Sequence, residues 1–173
     1  KAISYQAMAT LVTAAQAGPD SPLAAMPPVA ALRQFIDLFD RVWVVSITDP
    51  GFQPIFRDSE STLALQFHDV SPIGPEDTAR LLIREPNVVL FSEPQARQVA
   101  DLLIKAAASD SNDLVLVNCM MGISRSGAVA DVARTMAQLD YEEFRQMNPG
   151  IIPNSFVRKL IFAALEESLF ALP

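Results

Sequence analysis

One short segment, residues 117–126 with the sequence VNCMMGISRS, carries the residues with the clearest chemical potential. A predicted buried strand ends there at the chain's single thiol, Cys119, and the guanidinium of Arg125 follows after five intervening residues. A loop of this length in front of a helix can turn its backbone N–H groups inward. Together with the positive end of the helix, these groups form a cradle for an anion. The spacing therefore predicts an anion site with a sulfur at its base.

The residue types inside this loop fit phosphate chemistry. Gly122 allows backbone conformations that are closed to other residues, and the planar fork of Arg125 can hold two oxygens of one phosphate. Positive surroundings favour the thiolate form of a cysteine, and an ionised Cys119 that faces a bound phosphate is a nucleophile aimed at phosphorus. A lone cysteine is more often a small buried hydrophobic residue, but this context favours catalysis.

The composition of the chain narrows the classes of function. The 173 residues are 50% hydrophobic and 19% charged, which predicts one globular domain over residues 1–173. The net charge of −7 argues against binding to nucleic acid or to an anionic membrane, because the overall field repels both. A local pocket can still be positive, so a phosphorylated protein or a small phosphomonoester fits as the substrate, and the oligomeric state is left open.

One cysteine and one histidine limit the chemistry further. They cannot form an internal disulfide or an ordinary structural zinc site, which indicates a reducing, cytoplasmic location. We expect no cofactor. No apolar run approaches the roughly 18 residues that span a bilayer, and no secretory signal opens the chain.

The elements that must position this loop alternate between strands and helices. Strands are predicted at residues 42–47, 63–67, 88–91 and 114–117. Helices are predicted at residues 4–16, 30–39, 76–83, from Ser92-Glu93-Pro94 onward, 128–139, 141–147 and in a last segment capped by Asn154 or Ser155, with a loop at 20–28. This order predicts an α/β domain with a mainly parallel central sheet flanked by helices on both faces. Ligands of such sheets bind at the carboxyl ends of the strands, where the thiol loop begins.

The segment resembles the Cys-x5-Arg-Ser/Thr signature of the cysteine-dependent protein tyrosine phosphatases, and most nearly the compact dual-specificity phosphatases of the prokaryotic type. Residues 148–154, NPGIIPN, resemble the Pro-Asn turn and the start of the last helix of that type. Residues 65–70, LQFHDV, resemble the strand end that carries its general acid. The similarity spans roughly residues 42–169. It implies a protein tyrosine phosphatase-like fold.

The resemblance also implies a role for each residue of the loop. Cys119 attacks phosphorus and becomes a phosphocysteine, while Arg125 binds the phosphate and stabilises its equatorial oxygens in the transition state. Ser126 donates to the sulfur and helps it leave in the second step. Asp69 protonates the leaving oxygen and later accepts a proton from the attacking water. The implied substrate-binding residues are Met120, Met121, Gly122, Ile123, Ser124 and Arg125. No metal is implied, because the loop and its arginine neutralise the charge of the phosphate.

Two features depart from the family pattern. Asn118 stands where the family has a histidine that orders the loop, although an asparagine side chain can also donate and accept hydrogen bonds. Fifty positions separate Asp69 from Cys119, and the additional chain lies in residues 70–92. That insertion is interpreted as a lid that shapes the choice of substrate, or as a sign that a residue other than Asp69 is the general acid. The alternatives to Asp69 are Asp58, Glu76 and Asp77.

The sequence therefore supports a metal-independent phosphomonoester hydrolase that acts on phosphotyrosine, with phosphoserine and phosphothreonine as further substrates. The loop contains no lysine, which argues against an inositol lipid as the substrate. The alternative is a phosphate-binding module that recognises phosphoproteins without turnover. Such proteins commonly lose the Cys or the Arg, and both are present here. A third idea is a sulfurtransferase or an arsenate reductase. The reductase relatives have their cysteine near the chain start and use further cysteines, unlike this chain.

Overall fold

The sheet that carries the predicted loop has four parallel strands among the residues that the structure describes. The computed structural model describes residues 2–4, 30, 34–53, 56–109 and 112–170. The strands are β1 (Ala2–Ser4), β2 (Arg41–Thr48), β3 (Thr62–Gln66) and β4 (Asp113–Cys119), and they lie side by side in the order β1-β4-β2-β3. All of these pairings are parallel, so the predicted α/β architecture with a mainly parallel sheet is confirmed.

β2 and β4 form because each is a run of β-branched and aliphatic residues that can be buried on both faces of a sheet. The last six residues of β2 and the last four of β4 are buried. Their register pairs Val45 with Val117 and Ser46 with Asn118. The carboxyl ends of the two strands therefore lie at the same edge, where β4 leads into the thiol loop.

β1 is a strand that the sequence analysis did not predict. It pairs Ser4 with Cys119 at one edge of the sheet. The predicted helix over residues 4–16 is therefore wrong at its first residue. Residues 5–16 lie outside the described part of the chain, as does the predicted loop over residues 20–28. Three residues are too few for strand periodicity to be recognised, so this strand depends on its pairing with β4.

The predicted helices that follow the first strands are confirmed. In the described part of the chain they are α1 (Pro75–Arg84), α2 (Glu93–Ala107), α3 (Arg125–Met136), α4 (Tyr141–Met147) and α5 (Ser155–Phe170). α2 begins at a capping box, in which the Ser92 hydroxyl accepts from the Gln95 N–H and the Gln95 side chain accepts from the Ser92 N–H. α3 begins three residues before its predicted start at residue 128, so Arg125 and Ser126 lie in its first turn.

Helical structure lies on both faces of the sheet. α2, α3 and α5 pack on one face, where alternate residues of β2 and β4 join the main core. On the other face Leu116 belongs to a smaller cluster that includes Ile36, in a helical turn at residues 34–36. This turn falls within the predicted helix over residues 30–39, of which residues 31–33 lie outside the described part.

The predicted strand at residues 88–91 is wrong. Val89 makes two bonds to His68 instead: its carbonyl accepts from the His68 N–H, and its own N–H donates to the ring Nδ1 of His68. His68 lies beyond the end of β3, so this pairing has no strand ladder to extend. Phe91 is buried against Phe67, with ring centroids 4.8 Å apart. The apolar run therefore serves the core and not the sheet.

Candidate anion-binding site

Cys119 is the last residue of β4 and lies where the thiol loop begins. It is 1% exposed, and its Sγ lies 3.1 Å from the Oγ of Ser126. Ser126 is the second residue of α3. This contact joins the two ends of the segment, so residues 120–125 form a closed loop between the strand and the helix.

The backbone of this loop carries donors without acceptors. The N–H groups of residues 121–125 donate no hydrogen bond to any group in the described part of the chain. Gly122 has a φ of +73°, a left-handed conformation that other residues adopt only with strain. Unpaired N–H groups beside a helix N-terminus attract anions, so the loop has the donors that an anion cradle requires.

Residues 151–155 hold the loop from outside. The N–H of Ile152 donates to the carbonyl of Ile123 at 3.2 Å, and the N–H of Asn154 donates to the carbonyl of Ser124 at 3.1 Å. The C=O and N–H of one peptide unit point in opposite directions. Because these carbonyls face outward, the N–H groups that share their peptide planes are directed to the other side, into the loop.

Arg125 is 3% exposed and is held through one of its terminal nitrogens. Its Nη1 donates to Oδ1 of Asp49 at 2.6 Å and to the carbonyl of Phe67 at 2.7 Å. Its Nε is buried and has no hydrogen-bond partner among the described residues. An arginine binds phosphate through two parallel N–H groups, so the contacts at Nη1 leave the Nε edge of the fork available to an anion.

Asp69 lies beside the loop with its side chain 37% exposed. Its Oδ1 accepts from the Ser124 hydroxyl at 2.8 Å and from Nδ2 of Asn154 at 2.9 Å. Its Oδ2 lies 3.9 Å from Nε of Arg125. The fold thus brings a carboxylate that follows β3 together with the loop and the guanidinium that follow β4, at the same edge of the sheet, with β2 between the two strands.

The three alternative acids make their contacts elsewhere. Asp58 accepts from a backbone N–H of β3 at 2.7 Å, and Asp77 accepts from a backbone N–H in front of α1 at 3.0 Å. Glu76 forms an exposed ion pair within α1 at 3.6 Å. These contacts do not involve the loop, so among the four candidate acids Asp69 is the one whose carboxylate contacts it.

Asn154 connects the last helix to the site. Its Oδ1 accepts from the N–H of Val157 at 3.1 Å, so of the two predicted caps Asn154 is the one that caps α5. Its Nδ2 donates to Asp69 and also to the carbonyl of Val70 at 3.1 Å. One side chain therefore fixes the start of α5 and the orientation of the Asp69 carboxylate.

The loop side chains form a rim above the sulfur. Met121 is 72% exposed and Ile123 is 36% exposed, whereas Met120, Gly122 and Ser124 are half-buried. Because Cys119 is buried, a ligand of the loop would have to extend past these side chains to reach the sulfur.

Asn118 precedes the sulfur and faces the opposite side of β4, since successive strand residues alternate between faces. It is fully buried, and its Oδ1 and Nδ2 have no hydrogen-bond partner among the described residues. Its register partner Ser46 and the nearby Thr48 are also buried with unpartnered hydroxyls. The Asn118 side chain does not bond to the loop here, unlike the histidine that the resemblance implies at this position.

Asp49 is a site residue that the sequence analysis missed, because it begins an Asp-Pro-Gly segment, a composition that is typical of an ordinary turn. It follows β2 directly, and its carboxylate is 33% exposed beside Arg125. β2 pairs with β4, and the carboxyl ends of parallel neighbours meet at one edge of a sheet. An acidic residue at the end of the strand next to the thiol strand is the signal that indicates this contact.

Replacing Gly122 with alanine is expected to destabilise the protein and to weaken phosphate binding. A left-handed alanine costs about 1–2 kcal/mol, and relief of that strain turns the N–H groups of the loop away from the anion. Gly74→Ala is the matched control, because Gly74 has a φ of −171° and open space around an added Cβ. Thermal unfolding and titration with inorganic phosphate measure both effects. Equal behaviour of the two variants contradicts the prediction.

Comparisons with known proteins leave the family open. No family model matches the sequence, and no curated protein matches it. A solved structure that is similar to this chain is the crystal structure of human tyrosine phosphatase-like serine/threonine/tyrosine-interacting protein. It has 18% sequence identity and a TM-score of 0.38, over 87% of this chain and 89% of that chain. A likeness this distant assigns neither a family nor an activity.

Membrane insertion finds no support in the described helices. Within residues that the structure describes, no helix combines the length and the apolar character that crossing a bilayer requires.

Proposed function

We propose that the protein is a metal-independent phosphomonoester hydrolase that works through a phosphocysteine intermediate. One observation carries the proposal: a buried thiol, an arginine Nε without a hydrogen-bond partner among the described residues and a run of backbone N–H groups without acceptors belong to one closed loop. Fixed donors of this kind stabilise charge on a transferring phosphoryl group, and a sulfur among them can attack phosphorus.

In the first step the Cys119 thiolate attacks the phosphorus atom as the ester oxygen departs. The S–P bond forms, the P–O bond to the leaving group breaks, and the leaving oxygen takes a proton from Asp69. The loop N–H groups and the Nε edge of Arg125 bind the phosphoryl oxygens as their charge redistributes. The separation of 3.9 Å between the Arg125 Nε and Asp69 Oδ2 supports this division of roles, because both groups reach the same phosphoryl group.

In the second step water attacks the phosphocysteine. Asp69, now ionised, takes a proton from the water, the S–P bond breaks, and inorganic phosphate is released. The sulfur leaves as a thiolate, and the Ser126 hydroxyl at 3.1 Å can donate a hydrogen bond to it. This contact supports the assignment of Ser126 as the residue that assists the departure of the sulfur.

Phosphotyrosine is the substrate that we favour among phosphorylated side chains. The sulfur is buried, whereas Met121 and Ile123 are exposed at the rim. A long aromatic side chain can cross an apolar rim and bring its phosphate to the loop, while its ring contacts the two side chains. Phosphoserine and phosphothreonine are shorter, so we expect them to be turned over more slowly.

Turnover of an aryl phosphate in the presence of a metal chelator tests the proposal. Purified protein is expected to release phosphate from p-nitrophenyl phosphate in excess EDTA. Orthovanadate is expected to inhibit it competitively, since vanadate adopts the five-coordinate geometry of the transition state. Absence of turnover, or turnover that requires an added divalent cation, contradicts the proposal.

Asp69→Asn is expected to lower kcat about 10²-fold on phosphotyrosine and much less on p-nitrophenyl phosphate. Asparagine still accepts hydrogen bonds from Ser124 and Asn154 but cannot supply a proton. A poor leaving group depends on that proton more than p-nitrophenolate does. Equal losses on the two substrates assign Asp69 a structural role and contradict the acid assignment. Asp58→Asn is the control, because Asp58 makes its contact at β3.

One observation favours the alternative, a phosphoprotein-binding module without turnover. The Asp69 Oδ1 accepts hydrogen bonds from Ser124 and Asn154, and its Oδ2 lies 3.9 Å from Nε of Arg125, so both oxygens already have contacts within the site. The two functions differ in one measurement. A binding module retains a phosphotyrosine peptide at the loop for hours without release of phosphate, whereas the hydrolase consumes it.

A further inference from the structure

Three arginines line a cavity of about 290 Å³ between α3, α4 and α5. They are Arg134, Arg145 and Arg158, and they belong to a chain with 13 lysine and arginine residues and a net charge of −7. Like charges repel one another, so three cations around one cavity raise its electrostatic potential, and a bound anion would offset their repulsion.

A buried carboxylate compensates for part of this charge. Asp131 has a side chain 7% exposed, and it pairs with Nε of Arg134 at 3.1 Å and with Nε of Arg158 at 2.8 Å. Arg134 also donates to the carbonyl of Leu139 and to the hydroxyl of Thr135. Each nitrogen of the Arg134 guanidinium therefore has a hydrogen-bond acceptor. The single carboxylate of Asp131, however, balances only one of the three positive charges.

The other two arginines have N–H groups without a hydrogen-bond acceptor among the described residues. Arg145 donates from Nη1 to the carbonyl of Ile151 at 2.7 Å, and it forms no ion pair with a carboxylate of the described residues. Arg158 contacts Asp131 through Nε, and its two terminal nitrogens have no hydrogen bond in the described part of the chain. Each guanidinium has five N–H groups in a planar fork that matches the oxygens of a phosphate.

We propose that this cavity is a second oxyanion-binding site, which takes a phosphate-type group between Arg145 and Arg158. Asp131 orients the Arg158 guanidinium, and the backbone contact at Ile151 orients that of Arg145. The cavity is larger than a bare phosphate, and Tyr141 and Phe144 line it as well, so it also has room for a small organic group on the phosphate.

The cavity and the thiol loop lie on opposite sides of one segment. Ile151, Pro153 and Ser155 line the cavity, whereas the alternating residues Ile152 and Asn154 donate to the loop. The two sites therefore use different hydrogen-bond donors, and the segment 151–155 separates them. The proposal does not depend on hydrolysis at the thiol loop.

Titration of a variant whose thiol loop is disabled tests the proposal. In the double variant Cys119→Ser, Arg125→Met, inorganic phosphate is expected to bind saturably and to shift the NMR signals of the Nε–H groups of Arg145 and Arg158. Addition of Arg145→Gln is expected to raise the Kd about tenfold or more, since a charged hydrogen bond is lost. Arg97→Gln, which removes an exposed arginine of α2, is the control and is expected to leave the Kd unchanged.

The Arg158→Lys variant distinguishes a loss of phosphate binding from a loss of folding. Lysine keeps the positive charge beside the buried Asp131 but lacks the fork, so it is expected to weaken phosphate binding with little loss of thermal stability. Absence of saturable binding in the double variant overturns the proposal. So does an equal Kd in the Arg145→Gln and Arg97→Gln variants.

A comparison of two probes identifies the source of the phosphate group. If phenyl phosphate binds more tightly than inorganic phosphate, the ligand carries its phosphate on an organic body. If inorganic phosphate binds as well or better, the ligand is the free anion. Either result upholds the site, and failure of both probes to bind removes it.

Discussion

Cys119→Ser is expected to lower kcat on an aryl phosphate by about 10⁴-fold or more. A serine hydroxyl has nearly the shape of the thiol but ionises far less readily, so the nucleophile is lost while the loop is kept. The Ser126 hydroxyl at 3.1 Å can bond to either atom. The loss is therefore expected in the rate and not in the binding of phosphate.

The measurement pairs kcat with the affinity for orthovanadate or inorganic phosphate. Retained affinity with a lost rate identifies Cys119 as the nucleophile. An unchanged rate transfers the nucleophile to another group and removes the phosphocysteine mechanism. Loss of both rate and affinity, with an unchanged melting temperature, indicates that the sulfur contributes to anion binding and not to the chemistry alone.

The loop itself could be predicted from the sequence because its information is local. A buried strand, a thiol, Gly122 and Arg125 at fixed spacing lead to the strand–loop–helix that the structure has. Local patterns also predicted β2 and β3, whose apolar runs end at turn residues. The start of α3 was placed three residues too late, because Arg125 and Ser126 were assigned to the loop on chemical grounds.

The features that the sequence did not predict, or predicted wrongly, depend on contacts between segments that are distant along the chain. Asp49 reaches Arg125 across 76 positions, and no local pattern distinguishes it from an ordinary turn aspartate. β1 is recognisable only through its pairing with β4. The run at residues 88–91 has strand composition, but its neighbour His68 lies past the end of β3, so composition alone gave the wrong element.

Asn118 shows the limit of reasoning by resemblance. The family pattern implies a side chain that orders the loop, and the polar atoms of asparagine can perform that task in principle. In the structure they are buried on the other face of β4 without partners among the described residues. The N–H groups of Ile152 and Asn154 bind the loop carbonyls instead, so here the loop is held by the segment that leads into α5.

Arg125→Lys is expected to lower kcat about 10²- to 10³-fold, the effect of removing one donor from an oxyanion site. The arginine has two tasks at once. Its Nη1 is anchored by Asp49 and the Phe67 carbonyl, and its Nε, which has no hydrogen-bond partner among the described residues, is the group that we propose for the anion. A lysine is a single ammonium, so it can meet the anchor or the phosphate but cannot present a fork to the phosphate while it is anchored.

Asp49→Asn is the matched comparison, because it leaves the guanidinium in place and removes only the charge of its anchor. We expect a smaller loss than in Arg125→Lys, since the Phe67 carbonyl still accepts from Nη1. If the fork acts on the transition state, the affinity for orthovanadate falls in parallel with kcat/KM in Arg125→Lys, while KM for the substrate changes little. A kcat within a few-fold of the unmodified protein, with KM raised, assigns Arg125 to substrate binding alone and contradicts the role in the chemical step.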